Sequence, residues 1–253
     1  MFKYIAGEFD TPFQLFGVAH IGVLLFILVY NIFMSIDLKR TKIPWLNKQF
    51  RYALAFLLIF QEVSLNVWYI LTHQWDIGAS LPIHLCGAAL ILSAIMLVTD
   101  SYAIFEITYF WGFAGATQAL LTPDIAAYGF PHYRFLQFFI SHGAIVTASA
   151  YMTFVRGYRP TWKSYWKALA VTLLYAIPIA GFNWLVGGNY LFICRKPPTA
   201  SLLDVMGPWP WYLIPLFFVA IAIFALFYSP YAIKDWLAVR KPASQTVSTL
   251  EDR

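Results

Sequence analysis

Long, almost uninterrupted apolar runs dominate this sequence, and short polar stretches separate them. Seven runs can be recognised, at residues 13–34, 52–71, 81–98, 103–121, 135–155, 166–185 and 211–228. Each approaches the ~20 residues with which an α-helix crosses the ~30 Å hydrocarbon layer of a bilayer. A spanning β-strand needs only ~10 residues and alternates apolar with polar positions. The pattern therefore predicts an all-α, polytopic membrane protein with seven transmembrane helices.

Composition supports the same class of protein. Hydrophobic residues make up 60% of the chain and charged residues 11%, whereas about a quarter of a soluble domain is charged. The first run is longer than the apolar part of a signal peptide and lacks an Ala-x-Ala cleavage site, so we expect it to remain as a helix. Neither a repeat nor a linker divides the chain, and we expect residues 1–253 to form one domain.

The loops that carry lysine and arginine predict the orientation of this domain. With seven spans, 13 basic residues fall on one side of the membrane and four, namely Lys3, Arg134, Arg195 and Lys196, fall on the other. Positive residues accumulate on the cytoplasmic side. We therefore expect the N-terminus outside, the tail (residues 229–253) in the cytoplasm, and the basic loops in contact with anionic lipid of the inner leaflet. The basic residues cluster beside membrane spans, and nucleic-acid binding is not predicted.

Polar side chains inside the predicted spans are the candidate functional residues, because ionisable groups are costly there. Counted at 1.5 Å per residue, most of them fall in the outer half of the membrane, which predicts a shared cavity open to the outside. The alternative is a structural network of hydrogen bonds between helices. The set comprises His20, Glu62, Asn66, His84, Cys86, Gln118, His142 and Asn183.

Cys86 and His142 are the strongest candidates for chemistry. A cysteine nucleophile needs a base or an electropositive setting, and His142 is predicted at a compatible depth. Two other interpretations stay open: Cys86 can be a packing residue, or it can pair with Cys194 in a disulfide. The chain has no His-Glu-x-x-His or Cys-x-x-Cys motif for zinc, and we expect no metal or cofactor.

The stretch of residues 186–210 is long enough to be a lid or binding loop. Its glycines permit tight turns, and Asn189 and Tyr190 follow the Gly187-Gly188 pair. Arg195 and Lys196 can bind a phosphate headgroup.

These features together resemble one family. The seven spans, His-x-Cys at the third, Ser-His-Gly in the fifth and the Gly-Pro-Trp-Pro-Trp-Tyr run near residue 210 are similar to the YwaF family of bacterial integral membrane proteins, which is related to eukaryotic transmembrane protein 164. The resemblance covers residues 13–228. It implies a plasma-membrane acyltransferase or lipid esterase that acts on phospholipid or lysophospholipid substrates and uses Cys86 and His142.

Two other functions fit the same residues. A transporter or ligand-binding protein would use the polar cavity without covalent chemistry, and a structural or sensory protein would use the polar residues only to fix helix packing.

Overall fold

The fold is helical throughout the part of the chain that the computed structural model describes, which comprises residues 2–41, 43–125, 127–197 and 202–240. Within these ranges there is no β-strand. The eight α-helices are α1 (Val18–Thr41), α2 (Pro44–Leu71), α3 (Leu85–Thr99), α4 (Tyr102–Phe110), α5 (Thr117–Leu121), α6 (Tyr133–Ala150), α7 (Trp162–Val186) and α8 (Leu213–Arg240). Short 3-10 helices lie at Phe2–Tyr4, Tyr190–Phe192 and Leu202–Met206.

Two π-helical segments join or extend these helices. Trp111–Ala116 connects α4 to α5 without a break, and Tyr151–Val155 continues α6. The described chain thus forms seven helical segments, as the apolar runs predict. Five of them are long and apolar enough to cross a membrane: α1, α2, α6 with its extension, α7 and α8. The chain is therefore an integral membrane protein. Its third helix, α3, has only 15 residues, fewer than the ~20 that cross a bilayer.

Several helices begin or end at different residues from the apolar runs. α1 begins at Val18 rather than near residue 13, and α8 continues to Arg240 where a tail was predicted from residue 229. Hydropathy marks where lipid contact ends, whereas hydrogen bonding and capping decide where a helix ends. Residues 241–253 of the predicted tail, and residues 198–201 of the predicted lid, lie outside the described residues.

Local sequence explains where the other helices start. Pro44 occupies the first position of α2, where its missing N–H has no cost. The Ser101 hydroxyl caps α4 by accepting from the Ile104 N–H. Thr161 and Ser164 cap α7 reciprocally, each side chain accepting from the other's backbone N–H. Such caps satisfy N–H groups that lipid cannot.

α6 lies at the centre of the bundle. About 72% of its most apolar stretch is buried within the protein, compared with 11–28% for the other four long helices, whose remaining apolar surface faces outward. Gly112 of the π-helical segment packs against the Ser149 hydroxyl of α6, leaving no room for a Cβ atom. That hydroxyl donates to Thr108 O at 3.1 Å. Small residues therefore let α6 and the π-helical segment approach closely.

Ion pairs gather at the end of the bundle where α1 ends. Asp100 ends α3 in a left-handed conformation and pairs with Arg51 at 3.1 Å and with Arg156. Glu106 pairs with Lys167 at 2.6 Å and accepts from the Ser164 hydroxyl at 2.7 Å. Three of the basic residues predicted on one side, Arg51, Arg156 and Lys167, thus have acidic partners there.

Tyr190 anchors the loops at the opposite end. Its buried hydroxyl donates to Ile77 O at 2.7 Å and accepts from Leu81 N at 2.9 Å. Its own backbone N–H and C=O are bound by the Asn183 side chain at 2.8 and 2.9 Å. The start of the predicted lid is therefore fixed to α7 and to the loop before α3.

We expect Tyr190→Phe to destabilise the protein by about 1–3 kcal/mol, because it leaves the Leu81 N–H and the Ile77 C=O without the partner that the buried Tyr190 side chain supplies. Thermal unfolding in one detergent measures this, with Tyr30→Phe as control because Tyr30 is exposed. Equal melting temperatures for Tyr190→Phe and wild type would contradict the anchoring role.

Candidate functional site

Cys86 lies in the first turn of α3 on the side that faces the core. The residues one and two turns further on the same side, Ala89, Leu90 and Ser93, are buried, and Cys86 itself is half-buried. The first backbone N–H of α3 with a carbonyl partner is that of Ala88, which donates to His84 O at 3.0 Å. The N–H groups of Leu85, Cys86 and Gly87 precede that bond, as the first N–H groups of a helix do, and the Pro82 backbone packs against Gly87.

His142 is held in one orientation by its own helix. Its Nδ1 lies 2.9 Å from Phe138 O, and a carbonyl oxygen only accepts, so Nδ1 carries the proton and donates. The ring also stacks on Phe138 with a centroid distance of 4.1 Å. Within the described residues, Nε2 has no protein hydrogen bond, which leaves its lone pair free to accept a proton.

The π-helical segment Trp111–Ala116 lies between the helices that carry these two residues. A Cβ on Gly115 would lie 3.8 Å from the Leu85 side chain, next to Cys86. Ile145 and Ser149 face Gly112 of the same segment, and His142 lies on that face of α6 because it precedes them by three and seven positions. No hydrogen bond joins Cys86 to His142 in the described part of the chain. The segment is thus contacted by Leu85, the neighbour of Cys86, and by the α6 residues one and two turns after His142.

Arg134 lies on the same face of α6 as Phe138 and His142. It lies two turns before His142 on α6, and its guanidinium carbon is 5.9 Å from the Phe138 ring centre. Arg134 also lines a pocket of about 280 Å³ with Tyr69 and Asp124. From the sequence alone, Arg134 was only one of the four basic residues assigned to the less basic side of the membrane. Its spacing of four and eight residues from Phe138 and His142 was the signal for this position on α6.

Glu62 and Asn66 form a neighbouring network on α2. The Asn66 amide donates to Glu62 Oε1 at 3.0 Å, and Asn66 Oδ1 accepts from the Trp75 indole at 3.2 Å. Gln137 of α6 donates to Gln61 O at 3.4 Å. Glu62 and Asn66 are both half-buried, and they lie on α2, which packs beside α6.

Four other candidates have separate positions, so the structure does not gather all the predicted residues around one cavity. His20 uses both ring nitrogens on backbone groups, Phe16 N at 2.9 Å and Leu120 O at 2.8 Å. Asn183 binds Tyr190 as described above. His84 accepts from Leu191 N at 3.3 Å. Gln118 is exposed and donates to Thr122 at 3.0 Å. Three of the four, His20, Asn183 and His84, thus bind backbone groups at helix ends or in loops.

The loop after α7 is organised by its own polar residues. Asn189 Oδ1 accepts from the backbone N–H groups of Cys194 and Arg195 at 3.2 and 3.0 Å. Lys196 donates to Asp204 O at 3.3 Å, and Arg195 is exposed. Cys194 and Cys86 are both free thiols, so the structure has no disulfide between them.

His132 was not among the sequence candidates, and it attaches the N-terminal segment to the bundle. Its Nδ1 accepts from Arg134 N at 3.0 Å, and its Nε2 therefore donates to Ala6 O at 3.0 Å. Burial lowers the pKa of His132, the hydrogen bond to Ala6 opposes that shift, and the charge of Arg134 adds to it. The neutral ring is the form that fits both partners.

Comparison with known proteins identifies relatives of this chain. Residues 15–228 match the TMEM164 family. An uncharacterized protein of Treponema pallidum (strain Nichols) is 31% identical over 128 residues, which cover 51% of this chain and 52% of that protein. The chain thus aligns with about half the length of this relative. No solved structure matches.

We expect acidification to loosen the N-terminal segment. Since the folded pKa of His132 is lowered, its stabilising contribution is present above the unfolded value of ~6.5 and is lost as the pH falls through the folded value. Hydrogen exchange of residues 2–16, corrected for intrinsic rates, should accelerate at lower pH in wild type. It should do so much less in His132→Asn, which keeps a capping side chain.

His73→Asn serves as the control because His73 is exposed, and it should behave as wild type. The same pH dependence in His132→Asn as in wild type would contradict the assignment.

Proposed function

Because the chain belongs to the TMEM164 family, we propose that it is a membrane acyltransferase or lipid esterase that acts on phospholipid acyl chains through Cys86 and His142. The observation that carries this proposal is the fixed tautomer of His142, whose Nδ1 donates to Phe138 O at 2.9 Å. A base in which one nitrogen is held by an acceptor presents the other nitrogen for proton transfer. Here a backbone carbonyl occupies the position that a carboxylate takes in other hydrolases.

The first step is formation of an acyl thioester. His142 Nε2 takes the proton of the Cys86 thiol, and the sulfur attacks the carbonyl carbon of a phospholipid ester. The carbon–oxygen bond of the ester then breaks, and the departing lysophospholipid oxygen takes the proton from His142. The partial positive charge at the start of α3 favours the thiolate during this step.

The same helix start supplies stabilisation for the tetrahedral intermediate. The backbone N–H groups of Leu85, Cys86 and Gly87 precede Ala88, whose N–H makes the first intrahelical bond. Donors aimed at a developing oxyanion contribute several kcal/mol in a dry site, about 3 kcal/mol for a single donor in measured cases. These donors can act only when the carbonyl oxygen of the ester points at the first turn of α3.

The second step releases the acyl group. A hydroxyl of a lysophospholipid, or water in an esterase reaction, gives its proton to His142 and attacks the thioester carbon. The carbon–sulfur bond breaks, and the proton on His142 returns to the sulfur. Arg134 is suited to the phosphate of the substrate, because it lines the pocket beside Tyr69 and lies two helical turns from His142.

We also propose that the chain belongs to the YwaF group, lies in a bacterial plasma membrane and has its N-terminus on the outside. The resemblance in sequence and the distribution of basic residues support them. An outside N-terminus would place the Cys86 end of α3 in the outer leaflet.

A ligand-binding protein or transporter is the second candidate function. The pocket of about 280 Å³ at Tyr69, Asp124 and Arg134 favours it, because charged side chains there can bind a polar ligand without covalent chemistry. The two functions differ in their dependence on the Cys86 sulfur.

We expect Cys86→Ala and Cys86→Ser to abolish acyl transfer from a fluorescent phosphatidylcholine in proteoliposomes, because a neutral hydroxyl or methyl group cannot replace the thiolate. His142→Ala should lower the rate by ~10²–10⁴-fold, the usual contribution of a general base. Cys194→Ala is the matched control and should keep wild-type activity. Melting temperatures of all four variants separate loss of chemistry from loss of folding.

Full activity in a well-folded Cys86→Ala variant would contradict the mechanism. Headgroup binding that persists in a protein with no acyl transfer under any condition would favour the second candidate.

A further inference from the structure

Residues 5–11, the N-terminal strap, cross the end of the bundle where α2 ends and α6 begins. Side chains of the bundle hold the strap by its backbone carbonyl groups. The Trp68 indole donates to Ile5 O at 2.7 Å, and His132 Nε2 donates to Ala6 O at 3.0 Å. These carbonyls belong to no helix, so the bundle supplies the partners that a helix would otherwise provide.

Two glycines permit the close approach of the strap. The Gly129 N–H donates to Thr11 O at 2.9 Å, and a Cβ on Gly129 would lie 2.8 Å from the same oxygen. A Cβ on Gly7 would lie 2.6 Å from Gln74 Nε2. Both distances are shorter than a Cβ atom tolerates, so the docked position of the strap depends on these glycines.

The strap also holds part of the polar pocket beside Arg134. Gln74 Nε2 and the Tyr128 hydroxyl both donate to Gly7 O, at 2.8 and 2.7 Å. The same two side chains line the pocket of about 280 Å³ together with Arg134. The docked strap therefore fixes two side chains of the pocket wall.

His132 connects the strap to the third of these wall residues. Its Nδ1 accepts from Arg134 N at 3.0 Å while its Nε2 donates to Ala6 O. A protonated ring carries a donor on each nitrogen and has no acceptor, so it cannot keep both bonds. Either Arg134 N–H loses its cap, or the ring turns and releases Ala6. Each outcome disturbs the support of the pocket.

The surroundings of His132 favour the neutral ring at neutral pH. The ring is buried, burial lowers its pKa, and the charge of Arg134 lowers it further against the effect of the Ala6 bond. Acidification below the ~6.5 of an unperturbed histidine is therefore needed to protonate it. The other titratable or aromatic groups around the ring are Tyr128, stacked at 4.7 Å, Phe9 of the strap at 4.9 Å, and the exposed Glu8 and Asp10 on either side of Phe9.

We propose that the N-terminal strap is a pH-released support of this pocket, which holds Gln74, Tyr128 and Arg134 around a phosphodiester headgroup and lets the ligand go when His132 is protonated. Only the identity of the ligand rests on the proposed function. A ligand that needs the docked form binds in proportion to the fraction of docked molecules. Its apparent Kd is therefore about twice the neutral value at the pH where half of the molecules have released the strap.

The test uses the full chain in dodecyl maltoside, a detergent without phosphate, and tritiated glycerophosphocholine as the probe. The phosphodiester stays ionised during mild acidification, so a change in binding comes from the protein. The apparent Kd from equilibrium dialysis should rise along the same pH course as the corrected hydrogen exchange of residues 5–11. Absence of binding at neutral pH, or binding that stays constant while the strap opens, would overturn the proposal.

Replacement of His132 tests the titrating group. In His132→Asn, which keeps a capping side chain but cannot be protonated, binding of glycerophosphocholine should lose most of its pH dependence. His73→Asn is the matched control, because His73 is exposed, and it should behave as wild type. An equal loss of binding on acidification in His132→Asn and wild type would assign the titration to another group and overturn the proposal.

Two glycines give a matched pair that leaves His132 in place. Gly7→Ala should displace the Gln74 amide, so the strap should exchange about fivefold faster at neutral pH, the effect of one ordinary hydrogen bond on local opening. Binding of the probe should weaken with it. Gly22→Ala should change neither, because nothing lies within 4 Å of the added Cβ. Faster exchange in Gly7→Ala without weaker binding would show that the strap does not support the pocket.

Arg134→Gln locates the probe. It should abolish binding at every pH, and it should move release of the strap to higher pH, because the charge of Arg134 no longer lowers the pKa of His132. Binding that persists in this variant would place the probe elsewhere and overturn the proposal.

The proposed acyl transfer can fail separately. Cys86→Ala should bind glycerophosphocholine with the pH dependence of wild type. If wild type transfers no acyl group but keeps this pH-dependent binding, the proposed chemistry is wrong and the role of the strap stands. If it transfers acyl groups while binding does not follow the strap, the role of the strap is wrong.

Discussion

The cost of an unpaired polar group in hydrocarbon is the constraint on which this structure depends. Lipid offers neither donors nor acceptors, so backbone groups pair within helices and polar side chains seek partners inside the protein. Asn183 shows the result, since its amide satisfies both backbone groups of Tyr190 where α7 has ended. Interruptions of the helices are tolerated at this end because such side chains complete the missing bonds.

The same constraint explains which parts of the fold the sequence predicts. Seven helical segments follow from the apolar runs, because hydropathy and span length are linked by the thickness of the bilayer. The π-helical turns at Trp111–Ala116 and Tyr151–Val155 do not follow, since a pattern of apolar residues does not encode a local change from i→i−4 to i→i−5 hydrogen bonds. The extension of α8 to Arg240 was missed because polar residues can continue a helix beyond the lipid.

Prediction of the site was less complete for a related reason. The sequence indicates which polar residues are costly, but not which of them are satisfied locally. His20 has both nitrogens bound to backbone groups, whereas His142 retains a free nitrogen because only Nδ1 faces a carbonyl. This difference depends on side-chain direction, and it separates a structural histidine from a candidate base. Arg134 and His132 escaped notice since both lie at the start of α6, outside the apolar run.

The proposed chemistry lies at the start of α3 and near the middle of the central helix α6. Its central step is the transfer of the acyl group to the Cys86 sulfur. The most direct measurement is peptide mapping of the purified protein after brief incubation with a phosphatidylcholine whose acyl chain carries an alkyne. We expect a label on the Cys86 peptide that neutral hydroxylamine removes, as is typical of a thioester. Turnover of the same lipid with no label on Cys86, or with a stable label on another residue, would contradict it.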